Sequence, residues 1–409
     1  MTERPSATER PRRVLIVGAS LAGLRSAEAL RKRGYDGALT LVGDEPHKPY
    51  DRPPLSKQVL SGEWEAEKVF FRQKEGYDAL NAELVLGRRA KALDMHARRV
   101  MLDDGCALDY DALLIATGAA PRVLRGTEGL RGVFTLRTLD DALAIKQALA
   151  ARPRVAVIGA GFIGLEVAAS CRKLGLDVTV VEALPTPLSA VLGSAVGESV
   201  AAMHAAHGVT LRTGVTVTRL EGEAHVERVR LSDGNAFDAE LVVVGIGVVP
   251  NTQWLEGSGV ALSDGVLCDA ACGTNVPGVY AAGDVSRAHN ALFEESMRVE
   301  HWSNAIDQSQ AFAAQLLGSD EVPAPPVPYF WSDQYDVKLQ FAGRIRASDE
   351  LHQVHGALND RKYVVAYARE GKLRGVLVSN APKALIRARK LLSERASLEV
   401  ALGSLREVT

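Results

Sequence analysis

Residues 14–23 read VLIVGASLAG, and residues 155–164 read VAVIGAGFIG. Each stretch has a short apolar run suited to a buried parallel strand, a small-residue turn, and the start of a helix. In such a turn the backbone N–H groups and the positive end of the helix converge on a phosphate. The three glycines of the pattern have separate tasks. The first makes the tight turn, the second lets a pyrophosphate approach, and the third lets the helix pack closely on the strand. Gly159, Gly161 and Gly164 meet all three requirements. In the earlier copy Gly18 and Gly23 hold the outer positions, and Ser20 stands where the middle glycine is expected. Serine adds a Cβ but also a hydroxyl that can donate to a phosphate oxygen. The first turn is therefore read as altered, not lost.

The likeness extends well beyond the turns. GASLAGLRSAEALRKRGYDGALTLVGDE (18–45) parallels GAGFIGLEVAASCRKLGLDVTVVEAL (159–184). Further on, VMLDDGCALDYDALLIATGAAP (100–121) parallels VRLSDGNAFDAELVVVGIGVVP (229–250), each reading as a hairpin with an Asp-Gly turn and then a buried strand. Two repeats in the same order mean two similar α/β units. Asp44 and Glu182 end the second strands, where a carboxylate accepts hydrogen bonds from a ribose diol and repels a 2′-phosphate. The second unit is thus expected to prefer NADH to NADPH. A chain with two dinucleotide sites passes electrons between them, and the simplest assignment is FAD in the first and NADH in the second. The expected boundaries are a disordered tail over 1–11, an FAD-binding domain over 12–121 and 245–322, and an NAD-binding domain over 122–244. A small α+β domain follows over 323–409, after the proline-rich GSDEVPAPPVPYF (318–330).

Bulk composition narrows the class. With 48 basic and 50 acidic side chains the formal charge is −2, which gives no general attraction to nucleic acid or anionic lipid. No apolar run is long enough to span a bilayer, and the leader MTERPSATERPRR lacks the apolar core of a signal peptide. The four cysteines, Cys106, Cys171, Cys268 and Cys272, form no Cys-x-x-Cys pair, so a cytoplasmic protein with reduced thiols is expected. None of the nine histidines shows metal-ligand spacing, and no metal is expected.

Several segments carry a family resemblance: PYDRPPLSK (49–57), ATGAAPR (116–122), LRTLDDA (136–142), VYAAGDVS (279–286), EHWSNA (300–305) and FWSDQYD (330–336). From about residue 12 to its end the sequence resembles the FAD-dependent, NADH-linked ferredoxin reductases of bacterial oxygenase systems. The resemblance implies a glutathione-reductase-like flavoprotein fold with a small C-terminal domain. It implies that Gly18, Ala19, Ser20, Ala22 and Gly23 wrap the FAD pyrophosphate and that Asp44 holds the adenine-side ribose. Arg52 and Lys57 would lie along the flavin and its phosphates, Ala90 would meet the adenine, and Thr117, Gly118 and Arg137 would line the cofactor path. Asp284 would bind the ribityl chain, and Trp302 and Trp331 would flank the ring. For NADH the corresponding positions are Gly159, Gly161, Phe162, Ile163, Gly164, Glu166, Glu182, Gly247 and Glu300. Lys57, Trp302 and Glu166 are the expected catalytic residues, acting by position and charge, since hydride transfer needs ring alignment more than a proton shuttle.

The acceptor follows partly by elimination. HKPYDRPPLSKQVLSG (47–62) contains no cysteine, so electrons must leave to oxygen, a quinone or a protein carrier. The resemblance implies a [2Fe–2S] ferredoxin that serves a cytochrome P450 or ring-hydroxylating dioxygenase. Arg344, Arg346, Lys383, Arg387, Arg389 and Lys390 are candidates for a basic face toward an acidic partner. Rubredoxin, quinone or oxygen remain open as acceptors, as does a non-catalytic, NADH-sensing role. A monomer is the default expectation.

Overall fold

The structure, a computed structural model, describes residues 10–72, 74–319 and 325–409. Most of the expected N-terminal tail and the centre of the proline-rich linker lie outside the described residues. The chain divides into two compact units. The first draws on Met1–Asp51, Phe70–Ala120 and Val249–Pro328, and the second on Arg52–Val69, Pro121–Val248 and Tyr329–Thr409.

The first unit is built on a five-stranded parallel sheet. Its order is Val279–Ala281, Ala112–Ile115, Arg13–Val17, Ala38–Gly43, Glu83–Leu86. Side chains alternate across a strand, so a run apolar at every position must be buried on both faces. Val14 and Ile16 join one core with Leu24, Leu30 and Phe312, from the helices Leu21–Lys32 and Trp302–Leu316. Leu15 and Val17 join another with Leu93, Val100 and Leu102, from a small antiparallel sheet that includes the expected Asp-Gly hairpin.

The second unit repeats that plan in a parallel sheet ordered Val133–Thr135, Leu241–Val244, Val155–Ile158, Val178–Glu182, Thr210–Thr213. Four strands match the first sheet in order. The fifth comes from later in the chain in the first unit (Val279–Ala281) and from earlier in the second (Val133–Thr135). The same unit contains a five-stranded antiparallel sheet from the C-terminal region, ordered Tyr329–Gln334, Val337–Gly343, Lys372–Ser379, Tyr363–Arg369, Glu350–His355. The helices Pro382–Ser393 and Leu398–Arg406 complete that region. The α/β class, two dinucleotide-type sheets and a small C-terminal α+β region are all present. Among the described residues no helix is long and apolar enough to cross a membrane.

Candidate functional site

Both turns lie at the carboxyl ends of their parallel strands, where open α/β sheets bind ligands. Gly18 has φ +126°, and a Cβ there would sit 2.0 Å from the Ala116 carbonyl oxygen. Gly159 has φ +100°, and a Cβ would sit 2.3 Å from the Gly245 carbonyl oxygen. A Cβ on Gly23 or Gly164 would run into the carbonyl oxygen of Gly18 or Gly159, at 1.9 and 2.1 Å. The middle position differs. Gly161 has φ −75°, and a Cβ there would meet no protein atom within 4 Å. Ser20, its counterpart, is likewise extended at φ −115°. The protein itself demands glycine at the outer positions, whereas the middle one is constrained only by what binds. Ser20 leaves the fold of its turn intact.

Neither Ser20 nor Gly161 caps its helix with a side-chain hydrogen bond, and neither helix has an acidic residue in its first turn, among the described residues. The helix Leu139–Leu149 shows the usual alternative. There Thr138 and Asp141 form a reciprocal capping box, which accounts for the LRTLDDA pattern. Helix starts without such caps suit a phosphate.

Around the first turn, Ala19 packs on Gly43, where a Cβ would come within 2.8 Å, and so the turn lies beside Asp44. Asp44 pairs with Arg89 at 3.1 Å, immediately before the buried Ala90. Thr117 and Gly118 are held by Asn251: the Thr117 hydroxyl donates to the Asn251 carbonyl (2.8 Å), and the Asn251 amide groups donate to the carbonyls of Thr117 (2.9 Å) and Gly118 (3.0 Å). Gly283 abuts Ala22, which sets the half-buried Asp284 next to the start of the first helix. The Trp302 indole N–H donates to Asp51 at 2.8 Å, and Glu300 pairs with Arg298.

In the second unit Glu182 accepts from the backbone N–H of Ala160 (2.7 Å) and of Leu184 (2.8 Å). Its carboxylate therefore lies against the Gly-rich turn. Ile163, Leu184 and Ile246 are exposed large apolar residues at the carboxyl edge of this sheet, alongside the exposed Gly247. Arg52 donates to the Arg137 carbonyl at 2.5 Å, which brings those two predicted residues together.

Lys57 lies in a π-helical turn, Leu55–Val59, a local widening that recurs at functional sites. Its ammonium donates to Glu166 Oε2 (2.7 Å) and the Pro53 carbonyl (2.9 Å). Both side chains are largely removed from solvent, at 12% and 6% exposure. Glu166, in the helix Phe162–Lys173, also accepts from Ser56 Oγ at 2.5 Å and from Ser332 Oγ at 2.7 Å. Phe330 packs on Phe162 with ring centroids 4.5 Å apart, while Trp331 stacks on Tyr329.

Sequence reasoning missed Asp51, Ser56, Arg89, Asn251 and Ser332, all of which contact predicted residues. It also missed His204, fully buried between Gln334 (2.8 Å) and Tyr335 (3.0 Å). One signal was available: in FWSDQ the alternate positions Phe330, Ser332 and Gln334 share a strand face, so two polar groups are committed to an interior. Burial, reinforced by His207, pushes the His204 imidazole down from 6.5 to about 4. The unfolded chain therefore binds a proton near pH 6.5 that the folded one refuses until about pH 4. Stability is expected to fall by ~3 kcal/mol between those values. Denaturant titrations across this range should show the loss in wild type and a shallower one in His204→Gln.

The chain matches the pyridine nucleotide-disulphide oxidoreductase family over residues 12–309 and the reductase C-terminal family over residues 329–403. It is 38% identical to rhodocoxin reductase of Rhodococcus erythropolis, across 93% of this chain and 89% of that one. It is 37% identical to the ferredoxin–NAD(+) reductase component of the p-cumate 2,3-dioxygenase system of Pseudomonas putida, across 95% and 94%. The crystal structure of the covalent putidaredoxin reductase–putidaredoxin complex superposes with a TM-score of 0.92 at 33% identity, covering 97% of this chain and 98% of that chain. The duplicated glycine turns, the paired parallel sheets and the C-terminal antiparallel sheet thus place this chain in the pyridine nucleotide-disulphide oxidoreductase family, among its ferredoxin reductases.

Proposed function

We propose that the protein oxidises NADH through a bound FAD and passes electrons one at a time to a [2Fe–2S] ferredoxin that serves a cytochrome P450 or ring-hydroxylating oxygenase. The observation that carries this reading is the pair of turns whose outer glycines are fixed by the protein and whose middle positions are open. Together with two helix starts that lack a capping side chain, among the described residues, they fit the pyrophosphates of two dinucleotides. Gly18, Ser20, Ala22 and Gly23 would hold FAD, with Asp44 and Asp284 on its ribose and ribityl hydroxyls. Gly159, Gly161, Gly164 and Glu182 would hold NADH.

A flavin takes up the two electrons of a hydride together and can release them singly. The chain's own residues bind and orient. Glu182 accepts from the ribose diol, and Lys57 presents a positive charge whose direction Glu166 and Pro53 fix. No disulfide competes for the electrons, because Cys106, Cys171, Cys268 and Cys272 are all free thiols. Burial pushes Cys171 and Cys268 up to about 12 and Cys272 well above its ordinary value, away from the thiolate that disulfide exchange needs. Neighbouring Asp104 raises the exposed Cys106 thiol as well.

The ferredoxin assignment draws further support from exposed cations. Lys383, Arg389 and Lys390 stand beside Ile386, which is 72% exposed, on the helix Pro382–Ser393, and Arg344 and Arg346 are also exposed. Arg387 is half-buried and donates to Ser404 at 3.0 Å, so it belongs to the packing of that helix.

NADH-dependent cytochrome c reduction, with and without added [2Fe–2S] ferredoxin, tests the reading. Strong stimulation that weakens as salt rises is expected; no stimulation by any of several ferredoxins would point to oxygen, quinone or rubredoxin instead. Changing Glu182 to Ser should lower the preference for NADH over NADPH at least about tenfold, because a charge-assisted pair of hydrogen bonds is lost. An unchanged ratio of kcat/KM values would show that the 2′-hydroxyl is read elsewhere.

A further inference from the structure

The Glu166 carboxylate ends a hydrogen-bonded chain that runs through the interior of the second unit. Tyr335 OH lies 3.0 Å from His204 Nδ1, and His204 Nε2 lies 2.8 Å from Gln334 Oε1. Gln334 Nε2 donates to Ser332 Oγ at 3.0 Å, and Ser332 Oγ donates to Glu166 Oε1 at 2.7 Å. Ser332, Gln334 and His204 are buried.

Chemistry gives this chain one direction. An amide oxygen only accepts, so His204 must carry its proton on Nε2 and leave Nδ1 bare. Nδ1 can then only accept, so the Tyr335 hydroxyl donates to it. Ser332 accepts from the Gln334 amide and spends its own proton on the carboxylate. Every donor points toward Glu166. The neutral imidazole that this arrangement needs is the form that burial favours.

We infer that Ser332, Gln334 and His204 are positioning residues for the Lys57–Glu166 pair. Their aligned hydrogen bonds anchor the Glu166 carboxylate and keep its Oε2 turned to Lys57. The Ser56 hydroxyl shares Oε2, and the Ser332 hydroxyl occupies Oε1, so the carboxylate is fixed at both oxygens. Lys57 is the charged group facing it from the π-helical turn, and the strand Tyr329–Gln334 offers Ser332 and Gln334, neither of which titrates. Farther along, His207 stacks on Tyr335 with centroids 3.6 Å apart and is the second ionisable ring facing His204. The C-terminal sheet, read from sequence as a separate small domain, thereby reaches a residue expected to serve hydride transfer.

This inference rests on the reading that Lys57 and Glu166 serve the flavin, and the test separates the two. Infrared spectra of the FAD-loaded protein follow the carboxylate stretching band of Glu166, assigned by its loss in Glu166→Gln. Ser332→Ala should shift that band, since the hydrogen bond to Oε1 is removed. Gln334→Leu should shift it less, and Ser332→Thr should restore it. Stopped-flow reduction of the flavin by NADH should slow in the same order. If Ser332→Ala proves unstable, Gln334→Leu alone carries the test. An unmoved band in both variants would overturn the inference. Should Lys57→Met leave NADH-driven flavin reduction at the wild-type rate, the reading of the pair would fail instead, whatever the infrared spectra show.

Discussion

Gly18→Ala is expected to abolish flavin retention and to destabilise the protein by roughly 3 kcal/mol or more. Two penalties act at one atom. The residue has φ +126°, where an L side chain is strained, and its new Cβ would lie 2.0 Å from the Ala116 carbonyl oxygen. Relief requires displacing Ala116 and Thr117 away from the turn. That moves the segment tied to Asn251 and separates the turn from the predicted cofactor residues Thr117 and Gly118. The middle position gives the contrast. Ser20→Gly should change stability by no more than about 1 kcal/mol, the backbone-entropy effect of a glycine, because Ser20 already sits in ordinary extended backbone. Gly161→Ala should fold like wild type, with its effect confined to NADH affinity. Denaturant unfolding together with the flavin absorbance of the purified variants reads all three. A yellow Gly18→Ala protein as stable as wild type would mean that the turn does not depend on the contact described.

The contrast between Gly18 and Ser20 also shows what the sequence could and could not reveal. A strand buried on both faces, a turn and a helix are local features, and their duplication was visible at residues 14–45 and 155–184. The two parallel units and the Asp-Gly hairpins follow from such patterns; the strand order does not, since the fifth strand is Val279–Ala281 in one sheet and Val133–Thr135 in the other. Whether a serine harms the turn was not readable from spacing, because the answer depends on which atoms surround the missing hydrogen. Ala116 and Gly245, whose carbonyl oxygens face Gly18 and Gly159, are remote in sequence.

Long-range polar contacts were hidden for the same reason. Glu166 was singled out, yet its partners come from the adjacent residues 56 and 57 and from residue 332, two places that no periodicity connects. Asn251 lies far along the chain from Thr117, and Arg89 from Asp44. Nothing in their own neighbourhoods marks them as other than surface polar residues. Some function-like patterns, by contrast, have structural explanations. LRTLDDA contains a helix-capping box, and Thr138 with Asp141 could have been recognised as one from its spacing.

The Lys57–Glu166 pair carries the second large expected effect. Removing one member of a buried ion pair strands the other charge, at a cost of about 3–5 kcal/mol. Lys57→Met should show this in full, because Glu166 would keep hydroxyl donors from Ser56 and Ser332 but lose its only described cation partner. Glu166→Gln should be milder, since the Lys57 ammonium retains the Pro53 carbonyl and the Ser56 hydroxyl as acceptors. The double variant Lys57→Met, Glu166→Gln leaves no unpaired charge and should regain more than half of the stability lost in Lys57→Met. That recovery, measured by denaturant unfolding as a double-mutant cycle, is the signature of a coupled pair. Activity should not recover with it. If Lys57 serves the flavin by its charge, the double variant stays slow in NADH-driven flavin reduction while its fold is repaired, and this separates a structural ion pair from one retained for electron transfer. A Lys57→Met protein with wild-type stability would show that Glu166 is satisfied by hydroxyls alone; a double variant restored in both stability and rate would show that the pair only holds the fold.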